Sequence, residues 1–308
     1  MIGNYPLHLM ILVLLWGYIY TSWSLMGRMG MVSFGHGAFM GIGAYTVVML
    51  WNHYGVSPWI GAPAALAVAA VVALVVAYPC FRFRIVGHYF ALVTLALSEV
   101  TRLVFTAMRE QTGGSLGATP NGALTEGTTV ALGALQFSSK WVWLAIVAVF
   151  WLAGLWVWRA LDRSMGRLAL QAISEDEEAA ASVGIHVTRA KLRITLVSAL
   201  MTCAGGILYA QYQLYVNPDT VSGIAISLQM VFGVIAGGMF AMLGPTVGAA
   251  FTLLLAEGLR LAWGNRFPAL DSTIYGLMLV LFIIYMPRGI LGAALGAGRR
   301  RQGLSSSG

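Results

Sequence analysis

A stretch of 37 residues from Thr220 to Ala256 contains no charged residue. As a single α-helix it would be about 55 Å long at about 1.5 Å per residue, whereas the hydrocarbon core of a bilayer is about 30 Å thick. The stretch therefore predicts two membrane crossings joined by a turn. Gly244-Pro245 is the expected position of that turn, because proline removes a backbone donor and crowds the preceding turn of helix.

The chain as a whole is also rich in hydrophobic residues and poor in charged ones. Of its 308 residues, 59% are hydrophobic and 9% are charged, whereas soluble domains carry about 25% charged residues. This composition predicts an all-α, polytopic transmembrane helical bundle over residues 1–297, with a cytoplasmic loop at 160–193 and a disordered basic tail at 298–308. About nine spans are expected, at 5–26, 31–50, 59–79, 85–105, 141–159, 194–214, 222–243, 246–263 and 270–287.

The lysines and arginines are distributed unevenly between the two sides of the predicted spans. Cytoplasmic loops of membrane proteins carry an excess of both residues. If the C-terminal tail is cytoplasmic, thirteen of them fall inside and five outside, which predicts an external N-terminus and a cytoplasmic C-terminus. The inside set is Arg28, Arg82, Arg84, Arg159, Arg163, Arg167, Arg189, Lys191, Arg193, Arg288, Arg299, Arg300 and Arg301, and the outside set is Arg102, Arg109, Lys140, Arg260 and Arg266.

This distribution also accounts for the net charge of +7. Because the basic residues lie between spans, they indicate orientation in a lipid bilayer, and no nucleic-acid partner is predicted. Cys80 and Cys203 are the only cysteines, and they form no metal-ligand spacing. The sequence therefore predicts neither a metal site nor a catalytic residue.

The second predicted span is rich in small residues. Ser33, Gly37 and Gly41 recur every four positions and would share one face of a helix. Such faces allow close helix packing in lipid, and this one is also a candidate lining of a solute pathway. His36 lies in the same span, where a hydrogen-bonded structural histidine is expected more often than a ligand or proton carrier. The same glycine spacing recurs in Gly233-x-x-x-Gly237 and Gly244-x-x-x-Gly248.

Residues 174–184 have the sequence SEDEEAAASVG and lie in the charged loop 160–193. Ser174 and Glu177 have the spacing of a capping box, in which the serine covers a free helix amide and the glutamate reaches back. The alanines that follow favour a helix, and Gly184 can end it in the left-handed conformation. The segment predicts a short helix of about three turns inside a loop between two spans.

Glu178-Ala179-Ala180, followed after three residues by Gly184, resembles the loop by which permeases of ABC importers dock onto their ATPases. Ile194-Thr195-Leu196 stands at the family's spacing after the glycine, with Val197 in place of the family's proline. Over roughly residues 15–290, the chain resembles branched-chain amino acid importer permeases of the M-subunit type. The motifs that carry this resemblance are the stretch from Gly30 to Tyr45, the stretch from Tyr89 to Leu95, Thr112-Gly113-Gly114, Gly166-Arg167, Glu175-Asp176-Glu177, and Gly244-Pro245 with Gly248-Ala249.

The resemblance implies a permease subunit in the inner (plasma) membrane that forms the pathway for branched-chain amino acids or related small polar solutes, such as urea and amides. It also implies a second homologous permease subunit, two cytoplasmic ATPase subunits and an external solute-binding protein as partners. Glu178, Ala179, Ala180 and Gly184 would form the ATPase-coupling loop. A phosphate-binding loop requires Gly-Lys-Ser or Gly-Lys-Thr, and neither lysine of this chain follows glycine. No cofactor is therefore expected in this chain, with ATP hydrolysed by partner subunits.

Two other classes of function compete with this one. An ion-coupled secondary transporter needs ionisable groups at mid-membrane, but Glu99 and Glu257 each precede an arginine by three residues, near the end of a span. An intramembrane enzyme would need an acid to orient His36 beside Ser33, and Ser33 does not stand in a Gly-x-Ser-x-Gly motif. The sequence favours a transport protein that is not an enzyme.

Overall fold

The computed structural model describes residues 4–28, 30–85, 87–122, 130–263, 276–277, 280–281 and 289–292. Within these ranges nearly every element is helical. The helices are α1 (Asn4–Gly27), α2 (His36–Tyr54), α3 (Pro58–Arg82), α4 (His88–Ala107), α5 (Arg109–Thr112), α6 (Lys140–Arg163), α7 (Met165–Glu175), α8 (Glu177–Ser182), α9 (Val187–Gln213), α10 (Pro218–Val221), α11 (Ile224–Gly237) and α12 (Gly244–Trp263). A short antiparallel hairpin, β1 (Val130–Ala131) and β2 (Gln136–Phe137), precedes α6.

In the part of the chain that the structure describes, six helical elements are long and apolar enough to cross a membrane. They are α1, α3, α4, α6, α9 and the pair α10–α11, and the prediction of a polytopic helical bundle is confirmed. The helices α2 and α12, of 19 and 20 residues, pack in the same bundle without belonging to this set. The ninth predicted span, 270–287, lies largely outside the described residues, and the tail 298–308 lies wholly outside them.

The helices alternate in direction, so the bundle has two ends. At one end, the last turn of α2 holds the chain that follows α5: the Trp51 indole donates to the carbonyl oxygen of Asn121 at 2.9 Å. At the other end, Arg84 follows α3 and pairs with Glu178 of α8 at 2.9 Å. We call the first the hairpin end, since β1 and β2 lie there, and the second the α8 end.

The centre of the bundle consists of α1, α2 and α9. In the most apolar part of each helix, 72% of α1 and 61% of α9 is buried, compared with 28% of α3 and 22% of α4. The outer helices expose large aliphatic side chains, among them Val75 of α3 and Leu92 of α4. An apolar outer surface of this kind suits a surrounding of lipid or of another membrane helix.

Backbone contact replaces side-chain packing where α2 crosses α9. A Cβ atom added at Gly206 would overlap the carbonyl oxygen of Met40, and one at Gly43 would overlap that of Cys203. Neither neighbour is a side chain, so neither can rotate away. The two glycines therefore set the distance between the two central helices.

The turn between the seventh and eighth predicted spans lies earlier than expected. Helix α11 ends at Gly237, residues 238–243 form the turn, and Gly244 begins α12. Pro245 thus occupies the first turn of a helix, where its missing N–H breaks no intrahelical hydrogen bond. The position predicted for the break is wrong, because Gly244-Pro245 starts the second helix of the pair.

The two predicted glycine pairs of this region face each other. A Cβ atom at Gly237 would lie 2.8 Å from the Cα atom of Gly248, and one at Gly248 would overlap the carbonyl oxygen of Gly233. The four-residue spacing places these glycines on one face of each helix. Helices α11 and α12 consequently pack with their backbones in contact.

Candidate functional site

The small-residue face predicted for the second span is shorter than expected. Helix α2 begins at His36, and residues 31–35 are not helical. Ser33 therefore does not lie on the helix, and the prediction that it shares a helical face with Gly37 and Gly41 is wrong. The hydroxyl oxygen of Ser33 instead accepts the Gly35 N–H at 3.2 Å, a local bond that competes with helix formation.

Gly37 and Gly41 face the chain at the start of α11. A Cβ atom at Gly37 would lie 2.7 Å from the carbonyl oxygen of Gly223, and one at Gly41 would lie 2.7 Å from the Cβ atom of Ser222. The Gly37 N–H also donates to the hydroxyl of Ser227 at 3.1 Å. This part of α2 consequently meets protein on its glycine face and is closed to a side chain there.

His36 lies in a network of buried hydroxyl groups at the centre of the bundle. Its Nε2 atom is 2.7 Å from the Ser198 hydroxyl, which donates to the carbonyl oxygen of Ser22 at 2.6 Å. The Ser22 hydroxyl lies 2.7 Å from that of Thr202. The network joins α1, α2 and α9, and buried hydrogen bonds of this type hold membrane helices together.

The same network bears on the enzyme alternative. His36 pairs with Ser198, which already donates to a backbone carbonyl, and not with Ser33. No carboxylate hydrogen-bonds His36 among the described residues. A nucleophile, a base and an orienting acid are therefore not brought together in this part of the chain. Within the described ranges there is also no group of three or more potential metal ligands.

The carboxylates considered for ion coupling have arginine partners. Glu99 pairs with Arg102 at 2.5 Å, and Arg102 reaches Asp219 at 3.0 Å. Glu257 lies 3.7 Å from Arg260. Both pairs lie toward the hairpin end, in α4 and in α12. Each glutamate is therefore paired with the arginine three residues later, as the spacing predicts.

Residues 174–184 belong to two helices and not to one. Helix α7 runs through Ser174 to Glu175, and Asp176 is extended with φ −155°. A carboxylate oxygen of Asp176 accepts the backbone N–H groups of the second and third residues of α8, at 2.8 and 3.0 Å. The predicted capping box starting at Ser174 is wrong, because Asp176 is an equally good N-cap residue and lies directly before the helix.

The other end of α8 has the predicted glycine. Gly184 has φ +89°, in the region where glycine is favoured over other residues. The Ile185 N–H donates to the carbonyl oxygen of Ala180 at 3.1 Å, and the Gly184 N–H to that of Ala181 at 3.0 Å. This pair of hydrogen bonds is the Schellman arrangement, which turns the chain sharply toward α9.

Two ion pairs hold α8 against the bundle. Glu177 pairs with Lys191 of α9, whose side chain is only 2% exposed and whose ammonium lies 5.5 Å from the centre of the Phe81 ring. Glu178 pairs with Arg84 at 2.9 Å, with 83% and 75% of the two side chains exposed. One side of α8 is therefore anchored, while Glu178 and Ala179 remain at the surface.

Sequence comparisons identify relatives of the whole bundle. The chain matches the model of a family described as branched-chain amino acid transport system / permease component over residues 5–283. It is 30% identical to the high-affinity branched-chain amino acid transport system permease protein LivM of Salmonella typhimurium (strain LT2), and 29% identical to the protein of the same name from Escherichia coli (strain K12). The alignments cover 86% of this chain, which spans 64% of the length of each relative. No solved structure matches significantly.

Proposed function

The chain belongs to the family of branched-chain amino acid transport permease components, and from this premise we propose that it is the permease subunit of an ABC importer. The observation that carries the proposal is the family match over residues 5–283. A bundle with six helices able to cross a membrane supports it. The proposed solutes are branched-chain amino acids, because both relatives are described by that transport, with urea and amides as related candidates.

The proposed complex contains a second, homologous permease subunit, two cytoplasmic ATPase subunits and an external solute-binding protein. This chain would hold no cofactor and catalyse no reaction, because its partner subunits would hydrolyse the ATP. The proposed coupling element is helix α8, with Glu178, Ala179 and Ala180, together with Gly184 directly after it. Nucleotide-driven motion must reach the bundle through rigid contacts, and α8 combines an exposed carboxylate with an anchored inner side.

We further propose nine spans with an external N-terminus and a cytoplasmic C-terminus. The α8 end carries a dense set of arginines, among them Arg82, Arg84 and Arg163, as the cytoplasmic side of a membrane protein does. Cysteines introduced at Ser57, at the hairpin end, and at Ser305 in the tail should react with an impermeant thiol reagent from opposite sides. Labelling of both cysteines from the same side would contradict the nine-span topology.

Co-purification of the ATPase together with solute uptake tests the coupling element. Gly184→Val strains the exit from α8, because a β-branched residue is strongly disfavoured at positive φ. Glu178→Lys reverses the exposed charge. We expect both variants to remain in the membrane while ATPase association and uptake each fall about tenfold or more, the factor given by about 1.4 kcal/mol of lost contact.

Matched variants at the same end separate coupling from general damage. Gly87 has φ +60°, and a Cβ atom added there would have no neighbour within 4 Å, so Gly87→Val introduces similar strain outside α8. Glu175→Lys reverses a neighbouring exposed charge. If Gly184→Val and Glu178→Lys retain the ATPase and transport normally, α8 is not the coupling element. Uptake that persists without any ATPase would favour the ion-coupled alternative.

A further inference from the structure

A cavity of about 460 Å³ lies at the α8 end of the bundle. It is formed by the ends of α1 and α6, by α7 and by the turn that follows α11. Because α1 and α6 both end here, the cavity lies where membrane-spanning helices leave the hydrocarbon and reach the level of the lipid headgroups. The charged residues that line it are Arg28, Asp162, Arg167 and Glu175.

One end of the cavity holds two guanidinium groups and one carboxylate. Arg28 pairs with Asp162 and lies over the Trp158 ring, 4.1 Å from the ring centre. Arg167 approaches the same Asp162 oxygen at 3.7 Å, and 54% of its side chain remains exposed. Two positive charges thus share one negative charge, and Arg167 has N–H groups left to donate. Guanidinium groups bind phosphate oxygens through paired hydrogen bonds, so this end suits a phosphate.

The other end of the cavity carries the opposite charge. Glu175 lines it with an exposed side chain that has no partner among the described residues. Arg167, Gln171 and Glu175 follow one another at intervals of four residues, so they lie on the same side of α7. Arg167 and Glu175 are eight residues apart, which separates their Cα atoms by about 12 Å along the helix. This side of α7 therefore runs from a positive group, past an uncharged amide, to a negative group.

The arrangement of charges narrows the class of molecule that fits. A simple anion would be repelled by Glu175, and a simple amine by the two arginines. A phosphodiester joined to an ammonium group by two carbon atoms carries both charges. Its phosphate oxygen and its nitrogen are about 5 Å apart, at about 1.5 Å per bond. A hydrogen bond of about 3 Å at each end gives a total length of about 11 Å, close to the spacing of Arg167 and Glu175.

The remaining wall of the cavity is apolar. Its large apolar residues are Leu25, Leu161, Leu170, Met239 and Phe240. The Phe240 side chain is 71% exposed, although it lies at the end of a membrane-embedded bundle. Apolar surface beside a pocket with both charges suits a molecule with a charged head and an apolar tail, since the tail then leaves water. A small soluble molecule would leave this wall uncovered.

We propose that this cavity binds the headgroup of a phospholipid that carries a primary ammonium group, namely phosphatidylethanolamine. The phosphate accepts hydrogen bonds from Arg167, the ammonium group donates to Glu175, and an acyl chain covers Phe240. The bound lipid then joins α7 to the ends of α1 and α6, because the headgroup contacts all three.

The lipid site is independent of the proposed coupling to an ATPase. It requires only that the chain lies in a membrane, and the headgroup contacts α7 but not α8. Loss of the lipid therefore leaves the exposed side of α8 unchanged. We expect Glu175→Lys to lose the lipid and keep the ATPase, and Glu178→Lys to do the reverse, so failure of either proposal can be recognised separately.

Native mass spectrometry of the full chain in detergent, titrated with phospholipids of identical acyl chains, tests the proposal. We expect phosphatidylethanolamine to bind, and phosphatidylglycerol to bind about tenfold more weakly because it lacks the ammonium group. Phosphatidylcholine keeps the positive charge but has no N–H to donate, so its affinity should lie between the two. Glycerophosphoethanolamine, the soluble headgroup, should not displace the lipid at equal concentration.

Two variants assign the charges of the site. Glu175→Gln removes the negative charge at nearly constant volume and should abolish the preference for phosphatidylethanolamine over phosphatidylglycerol. Arg167→Gln should weaken the binding of both lipids. Glu178→Gln, at an exposed carboxylate of α8 outside the cavity, should bind both like the wild type. All three positions are exposed, so each variant should melt like the wild type in lipid-free detergent, which serves as the folding control.

The site is overturned if the wild-type chain binds phosphatidylethanolamine and phosphatidylglycerol equally, because the pairing of both charges is then absent. It is also overturned if Glu175→Gln keeps the preference of the wild type. Displacement of the lipid by an equal concentration of glycerophosphoethanolamine would show that the cavity takes a soluble molecule, which likewise contradicts a lipid site.

Discussion

At the centre of the bundle, Gly43 and Gly206 bring the backbones of α2 and α9 into contact, whereas at the surface α8 is held by two ion pairs, a side-chain cap and one buried alanine. The central contact involves no side chain that can change its rotamer, so any added atom must push the helices apart. The contacts of α8 are instead made by individual side chains at different points of the helix. The comparison shows an interior set by backbone contact and a surface helix that depends on a few side-chain contacts.

The two regions also differ in what stabilises them. Between helices in lipid, van der Waals packing and hydrogen bonds provide the stabilisation, since the surroundings are as apolar as the side chains. Helix α8 has only 6 residues, too few for an isolated helix to be stable in water. Its order depends on the Lys191 pair, on the buried Ala180 and on its two ends.

The largest effect is expected for Gly206→Leu. Because a Cβ atom at this position would overlap the carbonyl oxygen of Met40, the substitution should destabilise the fold by about 3 kcal/mol or more. Size-exclusion chromatography of the detergent-solubilised protein should show a loss of the monodisperse peak. The matched variant Gly258→Leu, at a glycine of α12 with no atom near the added side chain, should elute normally. A normal profile for Gly206→Leu would show that the central helices can separate at little cost.

A smaller effect is expected from the ion pair beneath α8. Lys191 is 2% exposed and Glu177 is 32% exposed. Removing the carboxylate therefore leaves a buried ammonium without its ion-pair partner. We expect Glu177→Leu to destabilise by about 3 kcal/mol. Lys191→Met, which leaves a partly hydrated carboxylate, should cost less.

The decisive measurement is thermal melting of the double variant. If the buried charge causes the loss, Glu177→Leu/Lys191→Met melts at a higher temperature than Glu177→Leu alone, because the stranded ammonium is gone. The rate of proteolysis between α6 and α9 should rank the variants in the same order as their loss of stability. Equal melting temperatures for the two single variants would show that Lys191 reaches water despite its burial.

The six apolar helices that the structure describes as long enough to cross a membrane were predictable, because hydropathy averages over about 20 residues and tolerates errors at single positions. The spacing of Gly37 and Gly41 also places both on one face whatever their neighbours are. Gly206 was not singled out, because its partner, the carbonyl oxygen of Met40, is a backbone atom far away in the sequence. Glycine spacing indicates that a helix can approach another closely, but it does not identify the second helix.

The predicted helix boundaries were wrong where the local sequence is compatible with two different structures. The Phe34 N–H donates to the Thr94 hydroxyl at 3.0 Å, a tertiary bond that helps keep this residue outside α2 and has no signature near Phe34. Pro245 suits the first turn of a helix as well as a break, and only the packing of α12 decides between them.

The smallest effect is expected at the start of α8, where Asp176 and not the predicted Ser174 caps the helix. Since Asp176 accepts the N–H groups of Glu178 and Ala179, Asp176→Ala should cost about 1 kcal/mol. Amide exchange at Glu178 and Ala179 should then accelerate about fivefold. Asp176→Asn, which keeps a side-chain acceptor, should exchange like the wild type. Ser174→Ala should leave both rates unchanged, because Ser174 lies within α7. Faster exchange in Ser174→Ala together with normal exchange in Asp176→Ala would restore the Ser174 capping box and a single helix over 174–184.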